Sequence, residues 1–241
     1  MRILIVAATE FEVGSLISDF GFRISHVSKS EKESRVPALT IFKSDSDNYR
    51  DESPKSEILI TGVGMVATAF ALGRHLAIND YDLAINLGIA GSVDRNIELG
   101  EVVEIKEDIL AELGAEDDAD FIPIDKLGFG TGMFYPGTCL AELNGNHFNL
   151  KRVKAITVNT VHGNEATIKR ISDRLNPQLE SMEGAAFFYA CEQFNIPSLQ
   201  IRAVSNYVEK RNRDNWKIGL AIKNLNNFAS EFFRLYLNSG Y

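Results

Sequence analysis

Cysteine is scarce in this sequence: Cys139 and Cys191 are the only two, they lie far apart, and no C-x-x-C links them to redox or zinc chemistry. The opening MRILIVAAT lacks the length and cleavage pattern of a secretory signal, so the chain reads as a reduced, cytoplasmic protein. Histidine is nearly as sparse. His26, His75, His147 and His162 form no H-E-x-x-H and no i, i+4 pair, which argues against a metal site. Positive charge is in deficit, with 25 Lys and Arg against 33 Asp and Glu and a net charge of −8. A nucleic-acid partner needs a basic face to release counterions, so the ligand class this balance favours is a small molecule. No apolar run approaches the roughly 20 residues that span a bilayer. Internal repeats and low-complexity tracts are missing too.

What is present is an alternation. Short β-branched runs recur at RILIVAA (2–8), EILIT (57–61), DLAINLG (82–88), VKAITV (153–158) and SLQIRAVS (198–205), with helical patterns between them. This predicts one α/β domain over 1–241, with a mixed, mainly parallel central sheet flanked by helices. FRISHV (22–27) and ALTIF (38–42) read as a hairpin-like excursion, SDSDNYRDESPKSE (44–57) as a polar loop, and GEVVEI (100–105) as a further strand. From Asp108 to Asn149 the pattern dissolves into acidic and Gly-rich sequence, a long excursion of the kind that is often functional. GAAFFYACEQFN (184–195) reads as a helix packed through Ala185, Ala186, Tyr189 and Ala190. A final helix is expected to bury Ile218, Ala221, Ile222, Leu225, Phe228, Phe232 and Tyr236.

Several segments could carry chemistry. GVGMVA (62–67) satisfies G-x-G-x-x-[GA], but it follows a later strand than the first, where a dinucleotide fingerprint belongs. Its glycines therefore read as a tight turn, or as a turn lining another site. ATEFEV after the first strand, ESMEG before a helix and SNYVE after the last strand converge at the carboxyl ends of a doubly wound sheet, where ligands bind. They bring Glu12 and Glu183, two acids that could work across a glycosidic bond; each is also what a helix start favours electrostatically. His162, in TVNTVHGNE, is either a pocket-lining loop residue or a surface histidine.

Taken in order, AATEFEV, TGVGMVATAFALG, NLGIAGSV with GEVV after it, ESMEGAAFFYAC and IRAVSN resemble the purine nucleoside phosphorylase/uridine phosphorylase superfamily, and its nucleosidase branch in particular. The tail NYVEKRNRDNWKIGLAI further resembles the futalosine hydrolases of that branch. The resemblance implies that Glu12 activates the attacking water, Met182 packs beneath the ribose, Glu183 holds its hydroxyls, and Ser205 and Asn206 sit beside the base. Ile89, Ala90 and Gly91 of the INLGIAG motif, together with His162, are expected against the substrate. Relatives that use phosphate hold it with an arginine and a serine where this chain has Asn86 and Ile89, so water is the implied nucleophile, with no cofactor and no metal. Adenine-specific relatives have aspartate where Asn206 stands. An asparagine can donate its NH₂ to O6 and accept from a protonated N7, which points to a six-oxo purine. Hydrolysis of futalosine to hypoxanthine is the resulting expectation. Methylthioadenosine/S-adenosylhomocysteine nucleosidase is the enzymatic alternative, and a catalytically silent nucleoside-binding protein the other. The carboxyphenyl extension of futalosine calls for a cation and apolar rings, for which Arg211, Arg213, Trp216, Phe134 and Tyr135 are candidates. The resemblance also implies a homodimer or higher homo-oligomer, with a neighbouring subunit completing the 5′ pocket.

Overall fold

The computed structural model describes residues 2–24, 39–43, 56–144 and 147–238. The turn of the first excursion and the polar stretch 44–55 fall outside the described residues.

The first strand, β1 (Ile3–Ala7), is buried at every position, as a strand must be when helices cover both faces of its sheet. It leads into α1 (Glu10–Asp19), pairs in parallel with β4 (Ser56–Ile60) on one side, and with β5 (Leu83–Ser92) on the other. Two short strands, β2 (Arg23–Ile24) and β3 (Thr40–Lys43), add an antiparallel edge beyond β4, as the excursion predicted. Helix α2 (Met65–Leu76) connects β4 to β5.

The second half of the chain completes the sheet. β12 (Ser198–Tyr207) runs parallel to β5, and β6 (Val102–Leu110) lies antiparallel to β12 on its far side. β10 (Lys151–Thr157) follows β6 in parallel, and β11 (Leu179–Ser181) follows β10. β11 also pairs antiparallel with the end of β5, curling this half of the sheet back on itself. Helices α4 (Glu165–Leu175), α5 (Gly184–Gln193) and α6 (Ile218–Asn238) lie against it. No described helix is long and apolar enough to cross a membrane.

The region from Asp108 onward holds more structure than its composition suggests. β6 runs on to Leu110, an acidic hairpin follows as β7 (Gly114–Asp117) and β8 (Asp120–Pro123), and β9 (Met133–Phe134) returns to pair with β6 ahead of the short α3 (Leu140–Asn144). Two hydrophobic clusters, one on each face of the sheet, form most of the core. Ala221, Leu225, Phe228 and Phe232 of α6 are buried as the spacing predicted. On α5 the expectation needs correction: Tyr189 is 46% exposed, and Phe187 and Phe188 are the large side chains that pack inward. Alanine at 185, 186 and 190 lets the helix lie close enough for both rings to reach the core.

Candidate active site

The carboxyl ends of β1, β5, β11 and β12 surround a cavity of about 420 Å³, in the range that holds a small ligand. Glu12 enters from the first turn of α1. Thr9 precedes that helix, and Glu12 reaches back to its amide with Oε2 at 3.0 Å, closing the start of the helix as a capping-box acid does. Its other oxygen accepts from the Ile89 amide at 3.2 Å. The capping role and the cavity-facing role therefore belong to one carboxylate. Burial raises the Glu12 pKa above the ordinary carboxylate range; the nearby Arg202 charge and the Ile89 amide oppose the shift, while the Glu183 charge adds to it.

Glu183 stands at the N-cap of α5 without capping it. Its Oε1 instead accepts from the Gly64 amide at 2.9 Å, and Oε2 from the Met182 amide at 3.3 Å. This accounts for GVGMVA. Gly62 and Gly64 have φ of 87° and 97°, which glycine alone adopts readily, and the turn aims the Gly64 N–H at the Glu183 carboxylate rather than at a pyrophosphate.

The far wall comes from β12. Its pairing with β5 slips between Val204 and Asn206, a bulge that leaves Ser205 unpaired and turns both Ser205 and Asn206 into the cavity wall. Ser205 donates to Asn206 Oδ1 at 2.8 Å, and Asn206 Nδ2 donates to the Tyr207 carbonyl at 3.0 Å, so the amide is held with a known orientation. Ile89, Ala90, Gly91 and Met182 complete this part of the wall. His162 lines it too, half-buried and bonded through Nδ1 to Glu180. That hydrogen bond raises the imidazole pKa, against the opposing effect of partial burial.

At the mouth, Arg211 and Trp216 line the cavity, the guanidinium 5.0 Å from the indole centroid. Three expected residues are not brought there. Arg213 sits exposed on the short 3₁₀ turn at Arg213–Asn215. Phe134 is fixed by the β9–β6 pairing and buried in the core, edge-on to Tyr189. The following Tyr135 points to solvent, its hydroxyl on Met133 Sδ at 2.8 Å. The strand pairing of β9, invisible in the sequence, decides both positions.

Beneath the cavity runs a buried polar chain that the motifs did not reveal. Arg202 is 1% exposed, donates through Nε to Gln200 Oε1 at 2.8 Å, and through Nη2 to Asn86 Oδ1. Gln200 in turn donates to Asp108 at 3.0 Å, and Thr157 donates to the other Asp108 oxygen at 2.8 Å. Full burial pushes the Asp108 pKa up to about 6, against the pull of Gln200 and Thr157. Gly184 seats α5 on this chain, since a Cβ there would lie 2.1 Å from the Asp108 carboxylate. The signal was available: Gln200 and Arg202 are polar residues two apart in an otherwise apolar strand, hence on one face. Asn86 is spent inside the sheet, its Nδ2 donating to the Val6 carbonyl at 3.0 Å.

With a cavity at the strand ends, a carboxylate on either side and an amide on the far wall, the family can be settled by comparison. A family model described as the Phosphorylase superfamily matches residues 2–238. The chain belongs to that superfamily. Within it, the chain is 31% identical over 172 residues to a futalosine hydrolase from Streptomyces coelicolor, covering 69% of this chain and 73% of the relative. It is 31% identical over 191 residues to a futalosine hydrolase from Acidothermus cellulolyticus, covering 77% and 78%. The fold is that of a solved 5′-methylthioadenosine/S-adenosylhomocysteine nucleosidase from Neisseria meningitidis in complex with methylthio-immucillin-A. The TM-score is 0.72 at 17% identity, over 95% of this chain and 97% of that one. The superfamily's mixed α/β sheet is thus the one expected from the strand runs.

Proposed function

We propose that this protein hydrolyses the N-glycosidic bond of futalosine and releases hypoxanthine. The observation that carries the reading is the pairing of two buried carboxylates, Glu12 and Glu183, with an amide at Asn206 on the wall of the same cavity. Cleavage passes through a sugar with oxocarbenium character, which nearby carboxylates stabilise. Glu12, with its raised pKa, takes a proton from water as the water oxygen bonds to the anomeric carbon. Glu183, steadied by the Gly64 and Met182 amides, holds the ribose hydroxyls above Met182. The glycosidic electron pair leaves with the base, whose N7 takes up a proton from solvent. Asn206 meets O6 through Nδ2 and the N7 proton through Oδ1. The futalosine hydrolase relatives support the substrate, and the asparagine favours it over an adenine nucleoside.

Water rather than phosphate is the nucleophile in this reading. Asn86 is turned into the sheet and Ile89 has no hydroxyl, so neither position offers an anion anchor. The protein acts as a homodimer or higher homo-oligomer. Val63 lines the cavity and also begins an exposed apolar strip with Val66 and Phe70 along α2, so a second copy seated there would close the mouth.

The test is incubation with futalosine, inosine and methylthioadenosine, with and without phosphate. Hypoxanthine and a free sugar should form from futalosine at a rate indifferent to phosphate. A rate that saturates with phosphate, or a sugar 1-phosphate product, would overturn hydrolysis. Preferential release of adenine from methylthioadenosine would overturn the substrate.

A further inference from the structure

Three strands set side chains in a row at the cavity floor. Asn206 of β12 pairs with Gly91 of β5, and Gly91 pairs with Glu180 of β11. Directly paired residues share a face, so Asn206 and Glu180 flank Gly91 across two inter-strand spacings, roughly 10 Å from backbone to backbone. A Cβ on Gly91 would come within 2.9 Å of Val208 Cγ2 and 3.2 Å of Asn206 Nδ2, so the row admits only a glycine between the two side chains. The row sets an amide and a carboxylate on either side of a glycine.

Glu180 is 3% exposed, and its partners leave it unfinished. Its Oε1 accepts from the His162 amide at 2.8 Å, and its Oε2 pairs with His162 Nδ1. A carboxylate has about four acceptor positions, so two remain. Both flanking residues line the cavity, where a ligand edge can reach them. The lone pairs left over by His162 can accept a further donor from a ligand edge. The six-oxo purine edge supplies one. Next to O6, hypoxanthine carries N1–H, a donor, where adenine carries a bare N1 lone pair.

We propose that Glu180, braced by His162, is a second reader of the base, accepting a hydrogen bond from the N1–H of a six-oxo purine. The assignment rests on the purine nucleoside reading of the cavity. Asn206 and Glu180 then divide the work: the amide meets O6 and N7, and the carboxylate meets N1. Adenine is disfavoured at the second point because its N1 lone pair would face an anion with no proton between them. His162 is a positioning residue, holding the carboxylate through both its ring and its backbone.

Free bases test this without requiring turnover. Calorimetric titration of the intact protein with hypoxanthine, 1-methylhypoxanthine and adenine should show hypoxanthine bound on the order of tenfold or more tightly than either of the others. In Glu180→Gln, whose amide can accept from N1–H or donate to a bare N1, the preference for hypoxanthine over adenine should shrink by about tenfold. His162→Ala, which frees the carboxylate to turn, should shrink it less. Equal binding of hypoxanthine and 1-methylhypoxanthine by the wild type would overturn the proposal with no variant needed, as would an unchanged preference in Glu180→Gln. Cleavage of futalosine alongside either of those results would sink this inference alone. Failure to cleave futalosine, with the base preference intact and sensitive to Glu180, would sink the substrate reading alone.

Discussion

Glu12 and Glu57 are both buried carboxylates, set at opposite ends of β1, and their surroundings hold them in opposite ways. Glu57 pairs with the start of β1 at Leu4 and is met by Arg2 at 2.6 Å and Lys43 at 3.6 Å. Burial pushes its pKa up, but the Arg2 hydrogen bond and the Lys43 charge outweigh it and leave the group below the ordinary range. Glu12, past the other end of the strand, is held mainly by amides, and burial wins. One sheet thus carries a carboxylate fixed as an anion by cations and another kept ready to gain and lose a proton. The first arrangement suits stability and the second suits proton transfer.

The same substitution at the two ends should separate these roles. Glu12→Gln should lower kcat by about 10² to 10⁴, the usual span for a general base, with a much smaller change in substrate affinity. It should also raise the melting temperature at neutral pH. A pKa raised in the folded state contributes stability below the unfolded value and loses it as pH rises through the folded one, so an ionised Glu12 is a burden at pH 7. Glu57→Gln should do the reverse, leaving kcat nearly intact and lowering stability by about 1–3 kcal/mol through loss of a charge-assisted bond. Its lowered pKa contributes stability above the ordinary carboxylate value and loses it on acidification. His75, buried beside Glu57 with its pKa pushed down mainly by burial, adds an acid-side loss that begins as pH falls through the usual histidine value, where the unfolded chain takes up its proton, and runs down to the lowered folded value. Thermal melts from pH 4 to 8 and steady-state kinetics on both variants would check the contrast. A Glu12→Gln protein with near-normal kcat would break it.

The base-reading wall offers a smaller effect. Asn206→Asp removes the NH₂ that meets O6 and supplies an acceptor suited to a six-amino group. The ratio of kcat/KM for futalosine to that for its six-amino counterpart should fall by roughly ten- to a hundredfold, the value of one mismatched buried hydrogen bond. An unchanged ratio would remove Asn206 from base recognition and leave Glu180 as its reader.

Sequence reading reached the two ends of β1 unequally, for physical reasons. The long strands were legible because β1, β4, β5, β10 and β12 each carry a stretch rich in β-branched and other apolar residues, as strands covered on both faces do. β9 and β11, two and three residues long, have no period to read; pairing with β6, β10 and β5 creates them. The same limit decided the site. Glu12, Glu183, Ser205 and Asn206 lie in motifs where a strand ends or a helix begins, and all line the cavity. Phe134 and Tyr135 were placed by their chemistry alone, and the β9 pairing put them elsewhere. The Arg202, Gln200 and Asp108 chain is assembled from two strands distant in sequence, so only the alternation within SLQIRAVS hinted at it.

The smallest expected effect distinguishes two arginines that look alike in the sequence. Arg211 and Arg213 both lie in EKRNRDNW, both approach Trp216, at 5.0 and 5.9 Å, and both are exposed. Arg211 alone lines the cavity mouth, its Cβ 3.7 Å from where a side chain on Gly163 would begin. If the carboxylate of futalosine reaches the mouth, Arg211→Ala should raise KM for futalosine several-fold while leaving a riboside without that extension unchanged, and Arg213→Ala should change neither. The size follows from exposure: a rim ion pair in water contributes up to about 1 kcal/mol, far less than a buried one. The effect should also fade as salt is raised, since screening over about 8–10 Å weakens an exposed pair first. Measuring KM for futalosine and inosine with both variants at low and high salt would settle the assignment. Equal effects of the two substitutions, or an Arg211→Ala effect that inosine shares, would mean that the arginines shape the loop around Trp216 and do not meet the substrate.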